Sequence, residues 1–181
     1  LNDLESALNT MHVTKGVHGE IRNVRYQRWK QKPNLLNHIK PLLTTHEVSD
    51  DQIRGLGSKI GERASPQDVD LSLMVLAHDM QREGHHVVLV TDDFKMAKAT
   101  EEHQLAGEVC PPSTFFERLS TKAKGKHASE LRRLGRRIRA AEMQYAISRR
   151  NEYDVQAKIT WMVDSLLASA STKPVKATAQ S

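Results

Sequence analysis

The sequence predicts an α/β fold: a small parallel sheet flanked by helices, with a basic helical hairpin joined to its C-terminal side. Three observations carry that expectation. Residues 65–120 alternate helical periodicity with short apolar runs, each too apolar for a sheet open to water on one face, which is the pattern of a parallel layer covered by helices. The first run, Val87 to Val90, stops on Thr91, Asp92 and Asp93, so charge begins where burial ends. Past Leu119 the composition breaks: residues 122–150 hold ten Lys or Arg against Glu130 and Glu142, a local charge of +8, while the rest of the chain is about −3 within a total of +5.

Taken in order, Leu1, Leu4, Leu8 and Met11 recur at helical spacing. Val17, Ile21 and Val24 begin a second helical pattern that contains Glu20 and runs towards Trp29. Pro33 opens a short helix limited by Pro41, and residues 45–49 read as a short strand. Ser49, Asp50 or Asp51 can cap the next helix. Its Gly55, Gly57 and Gly61 miss the GxGxxG phosphate-binding spacing by one residue, which leaves them as a loop and helix break. Ser65 and Pro66 start the best helix, with Leu73, Leu76, Ala77 and Met80 on one face and Gly84 as its stop. A strand over 86–90, a helix over 94–104, a strand near 107–110 and a helix after Pro112 holding Phe115, Phe116 and Leu119 complete an α/β domain of residues 1–120.

In the extension, residues 121–169, Leu131, Leu134, Ile138, Ala141 and Tyr145 form one apolar stripe. Val155, Ile159, Met162, Val163 and Leu166 form another. The two stripes are expected to meet in an antiparallel hairpin that turns at RRNEYD, residues 149–154. Residues 170–181 lack apolar periodicity and are expected to be a disordered tail.

The single cysteine, Cys110, excludes a disulfide framework or a cysteine-rich zinc module and fits a reducing compartment. No apolar run approaches the roughly 18 residues of a spanning helix, so a soluble, cytoplasmic protein without a membrane partner is expected. A sequence pI of about 9.4 raises the prior for an anionic partner without choosing its kind.

Parallel sheets gather functional groups just past the carboxyl ends of their strands, where Asp92 and Asp93 stand. Asp68 and Asp70 open the preceding helix, whose first turn can fold back to the same sheet edge. Four neighbouring carboxylates repel unless a cation neutralises them, and an all-oxygen cluster suits Mg²⁺ or Mn²⁺. Helix capping alone also accounts for Asp68 and for Asp92 or Asp93, and Glu20 on a surface helix is unremarkable by itself. His85 and His86 lack partners at zinc spacing, His78 and Asp79 read as a solvated face, and Ser72 lacks a GxSxG setting.

The stretch DVDLSLMVLAHDMQREGHHVVLVTDDFKMAKATEEHQLAGEVCPPSTFFERL, residues 68–119, resembles the second half of a PIN domain, a family of metal-dependent nucleases. The likeness lies in an acidic residue opening a helix, an apolar strand ending in Thr-x-Asp, and the helix, strand and Phe-containing helix that follow. It covers roughly residues 64–120. MHVTKGVHGEIRN is similar to the family segment that supplies a helix glutamate, which maps onto Glu20. The helix aspartate maps onto Asp70, with Asp68 as neighbour or substitute, and the strand-end aspartate onto Asp93, with Thr91 as a polar orienting group. PIN domains open with a strand ending in aspartate; none is read here, and Asp3 in its helical pattern is a poor stand-in. Either that strand lies upstream of Leu1, which the reading favours because the chain starts mid-helix without methionine, or the domain is degenerate. DVDLSLMVLA is also similar to the small protein-only RNase P type of PIN protein, which carries a helical protrusion.

The resemblance implies a divalent-metal-dependent endoribonuclease of RNA processing. Glu20, Asp68, Asp70, Asp92 and Asp93 would hold Mg²⁺ or Mn²⁺, which lowers the pKa of a bound water that attacks the phosphodiester in line. Lys122, Lys124, Lys126, Arg132, Arg133, Arg136, Arg137 and Arg139 would anchor RNA phosphates. With 4% aromatic residues, structured RNA read by shape is favoured over stacked single strands. Two other classes stay open: a catalytically incomplete RNA-binding or ribonucleoprotein-associated scaffold, and a hairpin that serves as a homo-oligomer or ribonucleoprotein interaction arm. A charge run is most often only a solvated face.

Overall fold

The computed structural model describes residues 11–20 and 43–171. They are mixed α and β, mostly helical, and the chain divides into two compact units, Leu1–Val109 and Cys110–Ser181. The expected helices at 1–8, 21–29 and 33–41, Asp3 and the tail past Ser171 lie outside the described residues. No helix among the described residues is long and apolar enough to cross a membrane.

In the first unit, β1 (His12–Thr14) and β2 (Thr44–His46) pair in parallel, His12 opposite Thr44 and Thr14 opposite His46. His12 Nδ1 lies 2.9 Å from His46 Nε2 across the pair. Residues 15–20 continue from β1 directly as helix. The helical reading around Met11 thus gives way to a strand whose three residues are too few to display an alternation.

Helix α1 (Asp50–Ile60) begins with a capping box in which the Ser49 hydroxyl accepts from Gln52 N and the Gln52 side chain accepts from Ser49 N. It ends at Gly61 in the left-handed region, φ 76°. Gly55 and Gly57, expected in a loop, are inside this helix. A Cβ on Gly57 would stand 2.9 Å from the Glu62 carbonyl oxygen, so close backbone approach accounts for that glycine.

Helix α2 (Val69–Arg82) is the centre of the unit and packs on both β1 and β3 (Val88–Val90). Leu71, Met74, Val75, Leu76 and Ala77 are all buried, so its N-terminal half is covered on most sides rather than along one stripe. Leu73 and Met80 from the expected face are only half-buried. Each fully buried Leu, Met or Val contributes roughly 1.5–3 kcal/mol of transfer free energy. Helix α3 (Phe94–Glu102) then leads to β4 (Glu108–Cys110), which pairs with β3, Glu108 N donating to the Val87 carbonyl at 3.1 Å. The described strands make two parallel pairs, where a single small sheet was expected, because α2 bridges β1 and β3 through side chains without strand pairing.

One buried bond joins β1 to α2. Ser72 Oγ donates to the Val69 carbonyl at 2.7 Å, so across the 2.8 Å contact the Thr14 hydroxyl is the donor and Ser72 Oγ the acceptor.

The second unit consists of α4 (Pro112–Lys122), α5 (Gly125–Ser148) and α6 (Val155–Ser171). The chief partner of α5 is α4, not α6. A Cβ on Gly135 would meet Ser113 O at 3.3 Å and Phe116 Cβ at 3.4 Å, so the two helices lie close. Buried Glu142 accepts from Ser113 N at 2.9 Å and supplies the N-terminal hydrogen bond that Pro111 cannot. This packing draws α4 out of the domain to which the sequence assigned it. The face of α5 that it selects is small: Ala128, Gly135 and Ala146 are buried with Glu142, whereas Leu134 and Tyr145 of the expected stripe are 42% and 46% exposed. On α6, Lys158, Trp161 and Met162 are buried and Val163 is exposed. Lys158 Nζ stands over the Tyr145 and Tyr153 rings at 5.6 and 5.2 Å. The turn falls at 149–154 as expected, and α6 runs through Ala170 and Ser171 into the segment assigned to the tail.

Ser72→Ala should cost about 1–3 kcal/mol, because it strands a buried Thr14 hydroxyl. Thr14→Val with Ser72→Ala should cost less than the two single changes together, measured by urea unfolding. Strict additivity would mean that the bond does not couple the two elements.

Candidate functional site

The site is built on three starts and ends: the helical segment 15–20 after β1, the first turn of α2, and the turn between β3 and α3. Asp68 is the N-cap of α2; its Oδ1 accepts from Leu71 N at 3.0 Å and its Oδ2 from Ser65 Oγ at 2.9 Å. The residue before it, Gln67, holds φ at 56°, and its amide donates to Asp50 Oδ1 at 3.0 Å, which ties the strained residue to α1. At the end of β3, Thr91 Oγ1 accepts from Asp93 N at 3.0 Å, and Asp93 caps α3 by accepting from Met96 N through Oδ1 at 3.0 Å. Thr91 therefore orients Asp93 through its backbone. Asp92 between them is half-buried.

Asp70 occupies the exposed side of the first turn of α2. Its carboxyl is nevertheless pushed above the ordinary 3.8, first by the water that neighbouring protein takes from it and then by repulsion from Asp93, Asp68 and Glu20. These four acids share one electrostatic neighbourhood, although Glu20 comes from a separate segment whose carboxylate is exposed. Asp68, Asp70 and Asp93 line a cleft of about 140 Å³ with Glu62, Arg63 and Lys95. Leu71, Met74 and Met96, all buried, form its apolar floor. Glu20, Thr91 and Asp92 are not among the residues that line it.

The capping reading and the acidic-site reading both describe this geometry. Asp93 commits one oxygen to its helix, and Asp68 commits both. Among the described residues, no three His, Cys, Asp or Glu side chains are arranged to hold a metal ion. The carboxylates of Asp93, Asp68 and Glu20 that raise Asp70 are hard oxygen donors of the kind a divalent cation takes, and such a cation would offset their repulsion, which comes second to desolvation among the causes of the shift. Glu62, Arg63 and Lys95 escaped the sequence reading. Lys95 follows Asp93 by two residues, but Glu62 and Arg63 reach the cleft from the loop after α1, which no periodicity reveals.

In the second unit, Lys122, Lys124, Lys126, Arg132, Arg133, Arg136 and Arg137 are exposed. Lys126 Nζ is 3.8 Å from Glu130. Arg139 differs from the rest: it is half-buried and 3.8 Å from Glu117, so it belongs to the α4–α5 contact more than to an open basic face.

A carboxyl raised in the folded state binds protons that the unfolded chain has released, so stability falls as pH rises from about 3.8 through the folded value. Asp70→Asn should therefore raise the thermal midpoint at pH 7, and the gain should shrink towards zero at pH values below that window. A midpoint at pH 7 below that of the parent would contradict the repulsion. No family model matches this chain, and no curated protein or solved structure matches it.

Proposed function

We propose that the protein is a divalent-metal-dependent endoribonuclease that acts on structured RNA. The observation that supports this most is the raised carboxyl of Asp70, surrounded by Asp93, Asp68 and Glu20 at the end of β3 and the start of α2. The likeness of residues 64–120 to a PIN domain suits the same reading. Asp70 and Asp93 would hold Mg²⁺ or Mn²⁺, with Glu20 reaching in from its own segment and Asp68 and Asp92 alongside. When bound, the ion supplies charge stabilisation at the phosphate and a water of lowered pKa. The chain's own part is to keep these acids in place. The caps on α2 and α3 fix Asp68 and Asp93, Thr91 fixes the turn that carries Asp93, and the apolar floor excludes water from one side. The exposed arginines of α5 would anchor the RNA through phosphates, with little sequence preference.

A second reading is a scaffold that binds RNA without cutting it. It draws on the absence of a three-ligand metal arrangement among the described residues.

The two functions should fail separately. Replacing Arg132, Arg133, Arg136 and Arg137 with Ala should weaken RNA binding and reduce its salt slope by up to about 0.9 per lost phosphate contact, with the midpoint of unfolding little changed. Asp93→Asn preserves the cap, since Asn caps as well as Asp, but removes a negative charge. Cleavage of RNA by that variant should collapse while RNA affinity stays near the parent's. Cleavage that persists in excess chelator, or in Asp93→Asn, rejects the metal-dependent mechanism at this site; arginine-dependent binding with no cleavage by the parent favours the scaffold.

A further inference from the structure

We infer that Arg63 and Lys95 are the phosphate-holding residues of the cleft in the first unit, and that they take a phosphodiester of a nucleic-acid strand lying across its mouth. The inference rests on the nuclease reading and extends it to residues that neither the acidic pattern nor the basic helix contains.

Long cations beside carboxylates ordinarily collapse onto them. Here Arg63 and Lys95 line the same cleft as Glu62, Asp68, Asp70 and Asp93, yet among the described residues neither forms an ion pair or a hydrogen bond. Two of the four acids are engaged elsewhere, Asp68 by Leu71 N and Ser65 Oγ and Asp93 by Met96 N, and neither cation pairs with Glu62 or Asp70 among the described residues. Both cations are exposed and come from different sides, Arg63 from the loop after α1 and Lys95 from the first turn of α3. The N-terminal ends of α2 and α3 also border the cleft, and each adds a partial positive charge.

Size narrows the ligand. The cleft holds about 140 Å³, whereas sites that bury a whole small molecule run from roughly 300 Å³ upwards. A phosphate group with a few waters fits and a free nucleotide does not, so the rest of the ligand must lie outside along the surface. A phosphodiester strand has that shape. Arg63 can grip it with a planar fork and Lys95 as a point charge.

The test uses the full chain with Mg²⁺ and two probes, a dinucleoside monophosphate (UpU) and inorganic phosphate, followed by amide NMR shifts, together with RNA cleavage kinetics. UpU should shift the amides of Asp70 and Lys95 in the parent and in Lys95→Arg, and fail to do so in Arg63→Ala/Lys95→Ala. Each single alanine should raise KM for RNA about ten-fold or more, with a smaller change in kcat, as expected for a lost hydrogen bond to a charged group. An equal response to inorganic phosphate alone, with no gain for UpU, would overturn the strand assignment. Cleavage present but insensitive to both alanines would overturn the inference and leave the nuclease standing. UpU binding that depends on both cations, in a protein that cleaves nothing, would uphold the inference and remove the nuclease. A fall in the thermal midpoint of the double alanine with UpU affinity unchanged would make the two residues structural and reject the proposal.

Discussion

The hydrogen bond from the Thr14 hydroxyl to Ser72 Oγ joins the segment that carries Glu20 to the helix that carries Asp70. It is buried, and it ties the last residue of β1 to the first turns of α2. The helical segment over 15–20 follows β1 directly, and Gly16 in it lies against Val69 of α2. The same turn of α2 carries Asp70, and Ser72 spends its own proton on the Val69 carbonyl, so the hydroxyl pair also steadies the helix start. Because neither group reaches water, the pair cannot be exchanged for solvent without a penalty.

Gathering the acids is unfavourable, and the fold relieves it only partly. Two of the four, Asp68 and Asp93, are placed at helix starts, where backbone amides and the helix dipole offset a negative charge. Asp70, in the first turn of α2, caps no helix, and its carboxyl is raised by desolvation and by the neighbouring acids. Capping engages both oxygens of Asp68 and one of Asp93, so at Asp93 the cap leaves a carboxylate oxygen for a ligand. The acid left without a cap is the one that a cation would stabilise most.

Much of this was legible in the sequence. The succession α2, β3, α3, β4, α4 could be read because caps, Gly84 and Pro112 punctuate clear periodicities, and Thr91-Asp92-Asp93 marked the end of β3. Asp68, Asp70 and Asp93 could be named because a strand end and a helix start are places where charge needs a reason, and Glu20 only through the resemblance of its segment to a PIN domain. What escaped the reading depends on contacts between distant elements. β1 and β2 are three residues each, too short to show a period. The orientation of α5 could not be inferred, since its leucine-rich stripe looked like the buried one and close packing against α4 chose Ala128, Gly135 and Ala146 instead. The domain boundary moved for the same reason: charge changes near residue 121, but Gly135 and Glu142 bind α5 to a helix that precedes the change. Arg63 and Lys95 came from loop and helix-start positions whose convergence no local pattern records.

The central claim is that the carboxylates around Asp70 form a divalent-cation site. Calorimetric titration of Mn²⁺ into the parent chain and into Asp70→Asn, at a pH where both are folded, addresses it without requiring cleavage or RNA. The account predicts saturable binding in the parent and its loss in Asp70→Asn. Saturable heat of equal size in both proteins, or none in the parent, would contradict it.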